Sequence, residues 1–205
     1  MIIAVDGPSA AGKGTIARAI AKEMGYHFLD TGSLYRMVGL EMLRHGKTAS
    51  DFADAVRVAT MLDPLRYVDA DLRTETVAAI TSEIAQIPDV RAALLDFQRS
   101  FAKKPPGAVL DGRDIGTVIC PDADIKLFVT ATPEVRTRRR FEELRDRGED
   151  VRLEHIKTEV AARDARDAKR TLLAPDALVI DTSELSVEQG VAAALAAVLG
   201  KRRLG

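Results

Sequence analysis

A glycine-rich segment near the beginning of the chain has the residue types and spacing of a phosphate-binding loop. The sequence Gly-Pro-Ser-Ala-Ala-Gly-Lys at residues 7–13 matches the pattern G-x-x-x-x-G-K. It follows an apolar run at residues 2–5 and precedes a helical pattern at residues 15–24, which is the strand-to-helix context that the pattern requires. We therefore predict that its backbone N–H groups cradle the phosphates of a nucleoside triphosphate, and that the Lys13 side chain reaches the β- and γ-phosphates.

The end of this loop differs from that of most loops of its type. The metal-binding hydroxyl usually follows the lysine directly, whereas here Gly14 follows it and Thr15 comes next. A Gly-Lys-Gly-Thr ending resembles the loop of nucleoside-monophosphate kinases, in which Mg²⁺ is held largely through waters and phosphates. It disfavours a GTPase switch, and the sequence contains no Asn with which to build a guanine-reading Asn-Lys-x-Asp motif. The predicted ATP-binding residues are Gly7, Pro8, Ser9, Ala10, Ala11, Gly12, Lys13, Gly14 and Thr15.

A second segment has residues of the kind expected where the molecule that receives the phosphoryl group binds. Residues 28–36, Phe-Leu-Asp-Thr-Gly-Ser-Leu-Tyr-Arg, predict a Thr-Gly turn after a strand and Arg36 early in the next helix. Nucleoside-monophosphate kinases carry a similar Thr-Gly-x-x-x-Arg, whose arginine clamps the phosphate of the acceptor. The planar guanidinium group suits that task. The alternative is an ordinary capped helix with a solvated arginine.

Residues 109–117 narrow the resemblance to a single family. They read Val-Leu-Asp-Gly-Arg-Asp-Ile-Gly-Thr, and a strand followed by Asp-Gly-Arg-Asp and then Gly-Thr is similar to the bacterial cytidylate kinases. Blocks at residues 82–101, 121–127, 163–170 and 176–182 continue the match in order. The resemblance therefore covers nearly the whole chain and implies an enzyme that phosphorylates CMP.

The resemblance also implies which residues bind CMP. The implied set is Arg36, Arg113 and Arg170 for the phosphate, Arg163 and Asp167 for the ribose hydroxyls, and Ser82, Arg91 and Asp114 for the cytosine. The chemistry of the base agrees, because cytosine offers an amino donor at N4 and acceptors at N3 and O2. A carboxylate with a hydroxyl at one edge and an arginine at the other complement those groups, whereas uracil would turn its O4 acceptor toward the carboxylate. For Ser82 and Arg91 the alternative is two solvated helix residues.

Two further groups complete the predicted catalytic set. Asp111 ends a buried strand, where a carboxylate could hold magnesium waters beside Lys13, although it could instead form the turn before Gly112. In the helix after Pro133 four arginines lie close together, and Arg139 is our best candidate for covering the ATP. The predicted catalytic residues are Lys13, Asp111, Arg113, Arg139, Arg163 and Arg170, with Mg²⁺ held by Thr15 and Asp111 through water.

The predicted strands and helices that must position these residues indicate an α/β protein. Short apolar runs at residues 2–5, 28–29, 108–110, 125–129 and 178–180 alternate with helical patterns, which predicts a parallel sheet between two layers of helices. With the loop, this is a three-layer P-loop fold. Helical periodicity dominates from about 33 to 104, where we predict a helical NMP-binding insertion, and a charge-rich lid is predicted at about 136–170. Residues 1–205 are taken as a single domain.

Composition limits the remaining possibilities. Apolar residues make up 46% of the chain, which is enough to form one hydrophobic core. The formal net charge is −1, so the protein has no overall positive charge that would attract nucleic acid or a lipid surface. The lone Cys120 can form no disulfide within the chain, and no apolar run is long enough for a membrane span. We expect a cytoplasmic monomer that binds neither nucleic acid nor membrane.

The predicted reaction is transfer of the γ-phosphoryl group of ATP to CMP, and by resemblance to dCMP. A rival is a P-loop kinase of another small acceptor, such as UMP, AMP or shikimate. A rival from another class is a switch or adaptor that binds ATP without phosphoryl transfer. A switch needs one nucleotide site, whereas the sequence provides residues for two.

Overall fold

The computed structural model describes residues 1–68 and 71–202. The chain divides into two compact units, one formed by Met1–Leu29 with Ala102–Gly205 and the other by Asp30–Phe101. The first unit carries the sheet and the predicted phosphate-binding loop. The second carries most of the stretch that the sequence marks as an insertion.

The sheet has five strands in the order β2-β3-β1-β4-β5. The strands are β1 (Ile2–Asp6), β2 (His27–Asp30), β3 (Ala108–Asp111), β4 (Ile125–Thr130) and β5 (Leu178–Asp181). The β1–β3, β1–β4 and β4–β5 pairs are parallel, with Val5 opposite Asp111 and Leu127. Each predicted strand is found and extends one residue further at its carboxyl end, and β2 also begins one residue earlier. The predicted α/β class with a parallel sheet is confirmed.

The core lies against the central strands. Strands buried on both faces carry near-continuous apolar runs, and β1, β3 and β4 follow that rule. Helices α1 (Lys13–Met24) and α8 (Val187–Arg202) pack onto the same cluster. Its larger buried members are Ile3, Val5, Ile16, Ile20, Val109, Ile125, Leu127, Val129, Ile180 and Val198.

Local signals set the starts of the later helices. The Thr132 side chain accepts a hydrogen bond from the Val135 N–H and so caps α6 (Pro133–Asp146). Ser186 and Gln189 exchange backbone-to-side-chain hydrogen bonds, which is the predicted capping box of α8. Helix α7 (Leu153–Asp167) packs on α6 through a separate small cluster of Leu144, Ile156 and Val160.

The second unit is helical. It consists of α2 (Thr31–Arg44), α3 (Phe52–Thr60), α4 (Glu75–Ile84) and most of α5 (Pro88–Ala102), with short 3₁₀ turns at Pro64–Arg66 and Asp71–Arg73. Within residues 31–68 and 71–101 no strand is found, as the helical periodicity predicts. In the parts of the chain described, no helix combines the length and the apolar character needed to cross a membrane.

Candidate active site

The backbone between β1 and α1 has the conformation of a phosphate cradle. Gly7 has a φ of 141°, and a Cβ at this position would lie 1.9 Å from the Val129 carbonyl oxygen, so only glycine fits. Ala10 and Gly12 also have positive φ, and the helix begins at the next residue. The loop therefore curls tightly at the amino end of α1, where backbone N–H groups and the helix dipole favour an anion.

Lys13 is the first residue of α1, and its side chain is buried. Its Nζ donates a hydrogen bond to the Pro8 carbonyl oxygen at 2.8 Å, which folds the ammonium group back over the loop. An ammonium group that is both buried and held next to a cradle of N–H donors adds positive charge where the terminal phosphates of a nucleotide would lie.

Asp111 lies next to the loop. It ends the buried strand β3, and one of its carboxylate oxygens lies 3.3 Å from where a Cβ on Gly14 would be. The unusual glycine after the lysine therefore leaves room for this carboxylate. Thr15 is exposed on the first turn of α1. A carboxylate and a hydroxyl are oxygen donors of the kind that Mg²⁺ accepts, and Mg²⁺ usually keeps several waters, so these residues fit the ion.

Two arginines predicted to bind the phosphate of the acceptor are held by one carboxylate, that of Asp167. Asp167, at the end of α7, accepts a hydrogen bond from Arg113 Nε at 3.1 Å and another from Arg170 Nη2 at 2.6 Å. The carboxylate is largely buried, and it holds two guanidinium groups that would otherwise repel each other. Arg163 is one helical turn earlier on α7 and is half-buried. The cluster keeps its positive charge in a fixed position, as a phosphate site requires.

The arginines of α6 divide between several partners. Arg139 donates to the Thr182 hydroxyl at 2.9 Å and to the Thr182 carbonyl at 2.7 Å, and the same hydroxyl donates to the Ala11 carbonyl in the loop. Arg139 is thus attached to the phosphate-binding loop through one residue. Arg138 is exposed, and Arg140 pairs with Glu143, as the sequence pattern indicates for the outward face.

The second unit holds three further predicted acceptor residues, whereas Asp114 is buried in the first unit, after β3. Arg36 on α2 pairs with Asp30 at 2.5 Å, and its buried Nε has no hydrogen-bond partner among the described residues. Arg91 on α5 donates to the Tyr35 hydroxyl at 3.3 Å. Ser82 on α4 is buried, and its hydroxyl also finds no hydrogen-bond partner in the described part of the chain. Buried donors and acceptors without protein partners are typical of sites that complete their hydrogen bonds with a ligand.

The similarity of the chain to known proteins extends over nearly its whole length. A family model described as cytidylate kinase matches residues 3–199. The chain belongs to the cytidylate kinase family. It is 49% identical to a cytidylate kinase from Rhodopseudomonas palustris over 212 residues, which covers 100% of both chains. It is 50% identical to one from Paramagnetospirillum magneticum over 208 residues, covering 98% of this chain and 99% of the other.

Solved structures agree with this family at the level of the fold. A gluconokinase from Sinorhizobium meliloti 1021 aligns with a TM-score of 0.52 at 17% identity, covering 99% of this chain and 92% of that one. A sugar kinase from a Janibacter species aligns with a TM-score of 0.52 at 17% identity, covering 96% and 92%. At such identities the likeness concerns the fold alone, which this cytidylate kinase family member shares with those two proteins.

Sequence reasoning missed three groups in this family member. Thr182 joins Arg139 to the loop. Arg136 is buried and forms a bidentate ion pair with Asp164 on α7, with N–O distances of 2.9 and 2.6 Å. Arg136 also donates a hydrogen bond to the Ser9 carbonyl at 3.4 Å. Asp6 is the third. The sequence alone does not show which arginine of α6 turns inward, because several arginines lie close together and each could face the phosphates.

Asp6 is a buried carboxylate at the end of β1, directly before the loop. Its two oxygens accept hydrogen bonds from the backbone N–H groups of Ile115 and Gly116, at 2.8 and 2.7 Å. The pKa of Asp6 is raised to about 6, mainly by burial and to a smaller extent by the nearby Asp114, although the two backbone hydrogen bonds and Lys13 act to lower it. The signal available in the sequence was an aspartate that ends an apolar strand.

The raised pKa of Asp6 predicts a pH dependence of stability. In the unfolded chain this carboxyl has its ordinary pKa of 3.8, so between that pH and about 6 the folded state holds a proton that the unfolded state has released. The contribution of Asp6 to the free energy of unfolding therefore falls as pH rises through this window, by at most roughly 3 kcal/mol, and is level above it. The measurement is urea unfolding of the wild type and of Asp6→Asn from pH 4 to 8.

The contributions of the other titrating groups to the free energy of unfolding are the same in both proteins, so they cancel when the two values are subtracted. The unfolding free energy of the wild type minus that of the variant should decrease across the window. A difference that does not change with pH would contradict a raised pKa at Asp6.

Proposed function

We propose that this chain transfers the γ-phosphoryl group of ATP to CMP, giving ADP and CDP, and that dCMP is also an acceptor. The observation that carries the proposal is a second cluster of positive charge, Arg113 and Arg170 held by Asp167, in a chain that belongs to the cytidylate kinase family and also has a loop shaped for phosphate. A protein that only binds ATP needs the loop alone. We further propose that the enzyme acts as a monomer in the cytoplasm.

The acceptor side needs no general base. A nucleotide monophosphate has a second pKa near 6, so its attacking oxygen is already mostly ionised at neutral pH. Arg113 and Arg170 would hold this dianion in line with the γ-phosphate, and Arg36 is the third arginine that the family resemblance assigns to the phosphate. Arg163 and Asp167 would bind the ribose hydroxyls. The task of the protein is then to align the acceptor and to neutralise its charge.

The donor side combines the loop with one side chain from α6. The backbone N–H groups of residues 7–15 would bind the phosphates of ATP, and Lys13 would neutralise charge on the transferring group. Arg139 would cover the nucleotide from the opposite side. When bound with ATP, Mg²⁺ would supply neutralisation of the phosphate charge, and Asp111 and Thr15 are the residues that would hold it through water.

Water must be kept out, because hydrolysis of ATP would compete with transfer to CMP. The proposed moving parts are the NMP-binding insertion at about 33–104 and the lid at about 136–170. The bounds of the compact helical unit, Asp30–Phe101, support the first assignment. The Arg136–Asp164 ion pair between α6 and α7 supports a lid whose two helices move together.

Cytosine would be read by Ser82, Arg91 and Asp114, and Asp114 gives the sharpest test. Asp114→Asn is expected to weaken the preference for CMP over UMP by roughly 1–3 kcal/mol. The reason is that an amide can rotate to donate to the O4 of uracil, whereas the carboxylate only accepts. The measurement is kcat/KM for CMP and for UMP in the wild type and the variant.

Asp122→Asn serves as the matched control, because Asp122 is exposed in the same connection between β3 and β4. It should leave both values unchanged. A CMP-to-UMP ratio that is the same in Asp114→Asn and the wild type would assign the base reading to other residues. That result would favour the rival hypotheses in which the acceptor is UMP, AMP or shikimate.

A further inference from the structure

The residue proposed to read cytosine stands at an unusual turn. Asp114 precedes a five-residue π-helical turn, Ile115–Ile119, and its own side chain makes no capping hydrogen bond to that turn. Its carbonyl accepts hydrogen bonds from the N–H groups of Val118 and Ile119, at 2.9 and 3.1 Å. Single π-helical turns are rare and frequently lie at functional sites. The first N–H groups of the turn need an acceptor from elsewhere in the chain.

Asp6 supplies that acceptor from more than a hundred residues away. Its two carboxylate oxygens accept from Ile115 and Gly116, the first two residues of the turn. The approach is close, because a Cβ on Gly116 would lie 3.3 Å from Asp6 Oδ2 and 3.0 Å from Lys126 Cδ. Both oxygens of Asp6 are thus committed to the backbone on the carboxyl side of Asp114.

The other neighbour of Asp6 is the phosphate-binding loop, since Gly7 is the next residue in the chain. Asp6 also pairs opposite Phe128 in the sheet, so its backbone is fixed by the ladder between β1 and β4. Asp6 is only 4% exposed, and keeping a carboxylate there is costly, as its raised pKa reflects. An apolar residue would fit the rest of β1 better, which argues that the carboxylate is retained for its two hydrogen bonds.

We propose that Asp6 is a positioning residue that fixes the turn after Asp114 relative to the phosphate-binding loop, and through it sets the selectivity for cytosine. The inference rests on the proposed CMP kinase activity. Asp6 itself touches neither nucleotide in this account. It acts by holding the backbone that carries the base-reading carboxylate.

The test is Asp6→Asn, which preserves the size of the side chain and one acceptor oxygen but turns an NH₂ group toward a backbone N–H. The expected result is a KM for CMP about tenfold higher, a CMP-to-UMP ratio of kcat/KM about tenfold lower, and a KM for ATP within about twofold of the wild type. Hydrogen exchange at the amides of Ile115 and Gly116 should accelerate. A merely structural role would not separate the two substrates in this way.

The matched control is Asp124→Asn. Asp124 also accepts a long-range hydrogen bond from β1, from the Ile2 N–H at 2.6 Å, but at the opposite end of the strand. It should leave both substrates unaffected. If Asp6→Asn fails to fold, Gly116→Ala is the second variant, because its methyl group would press on the same carboxylate and on Lys126, and the same changes in CMP binding are expected.

The possible outcomes separate this inference from the proposed function. A wild-type protein that forms no ADP in response to CMP overturns the proposed function. An active wild type whose Asp6→Asn variant keeps the CMP-to-UMP ratio overturns the positioning role. Equal losses for CMP and ATP overturn it as well, since they would indicate a general disturbance of β1 and the loop.

Discussion

Lys13→Ala is expected to lower turnover on the order of 100-fold or more while the protein stays folded. The loop owes its shape to backbone conformations at Gly7 and Gly12 rather than to the lysine side chain. The substitution therefore removes a buried positive charge next to the transferring phosphate, and with it one hydrogen bond to Pro8. The measurement is kcat for ATP and CMP, with thermal unfolding as the check on folding.

Lys22→Ala provides the comparison, because Lys22 is exposed in the last turn of the same helix. It should keep wild-type turnover. A folded Lys13→Ala protein with near-normal production of ADP would show that the loop does not act on the transferring group.

Arg113→Ala is expected to reduce kcat/KM for CMP on the order of 100-fold, with a much smaller effect on the KM for ATP. Arg113 Nε is held by Asp167, so its guanidinium is fixed before a phosphate arrives. Its loss removes one of the two arginines that Asp167 holds, so less positive charge is left to balance the acceptor dianion. The measurement is the steady-state kinetics of each substrate at saturating levels of the other.

The corresponding control is Arg138→Ala, an arginine that is exposed on α6. It should behave as the wild type. Equal increases of KM for ATP and CMP in Arg113→Ala would contradict the assignment of this cluster to the acceptor.

The features that could be predicted from the sequence are those that short segments determine by themselves. The loop at residues 7–13 follows from glycines and a lysine at fixed spacing, and the capping box at Ser186 and Gln189 follows from two residues three apart. The strands follow from short apolar runs between turns. Asp111 could be assigned to a strand end on the same grounds.

The features that were missed depend on contacts between distant segments. Asp6 caps a turn more than a hundred residues later, and no local pattern announces a π-helical turn in Ile-Gly-Thr-Val-Ile. Arg136 and Asp164 pair only because α6 and α7 pack together. The position of Arg139 in the sequence indicates a role near ATP, but its attachment to the loop through Thr182 depends on the fold.

The central claim is that the acceptor is CMP, and one assay of ADP formation across acceptors tests it most directly. The purified protein is mixed with ATP and Mg²⁺ and then with CMP, dCMP, UMP, AMP or GMP at equal concentration, and initial rates are compared with the rate without acceptor. The account predicts rapid ADP formation with CMP, activity with dCMP, and far slower rates with UMP, AMP and GMP. Rates with UMP or AMP that equal or exceed the rate with CMP, or no dependence on any acceptor, would contradict it.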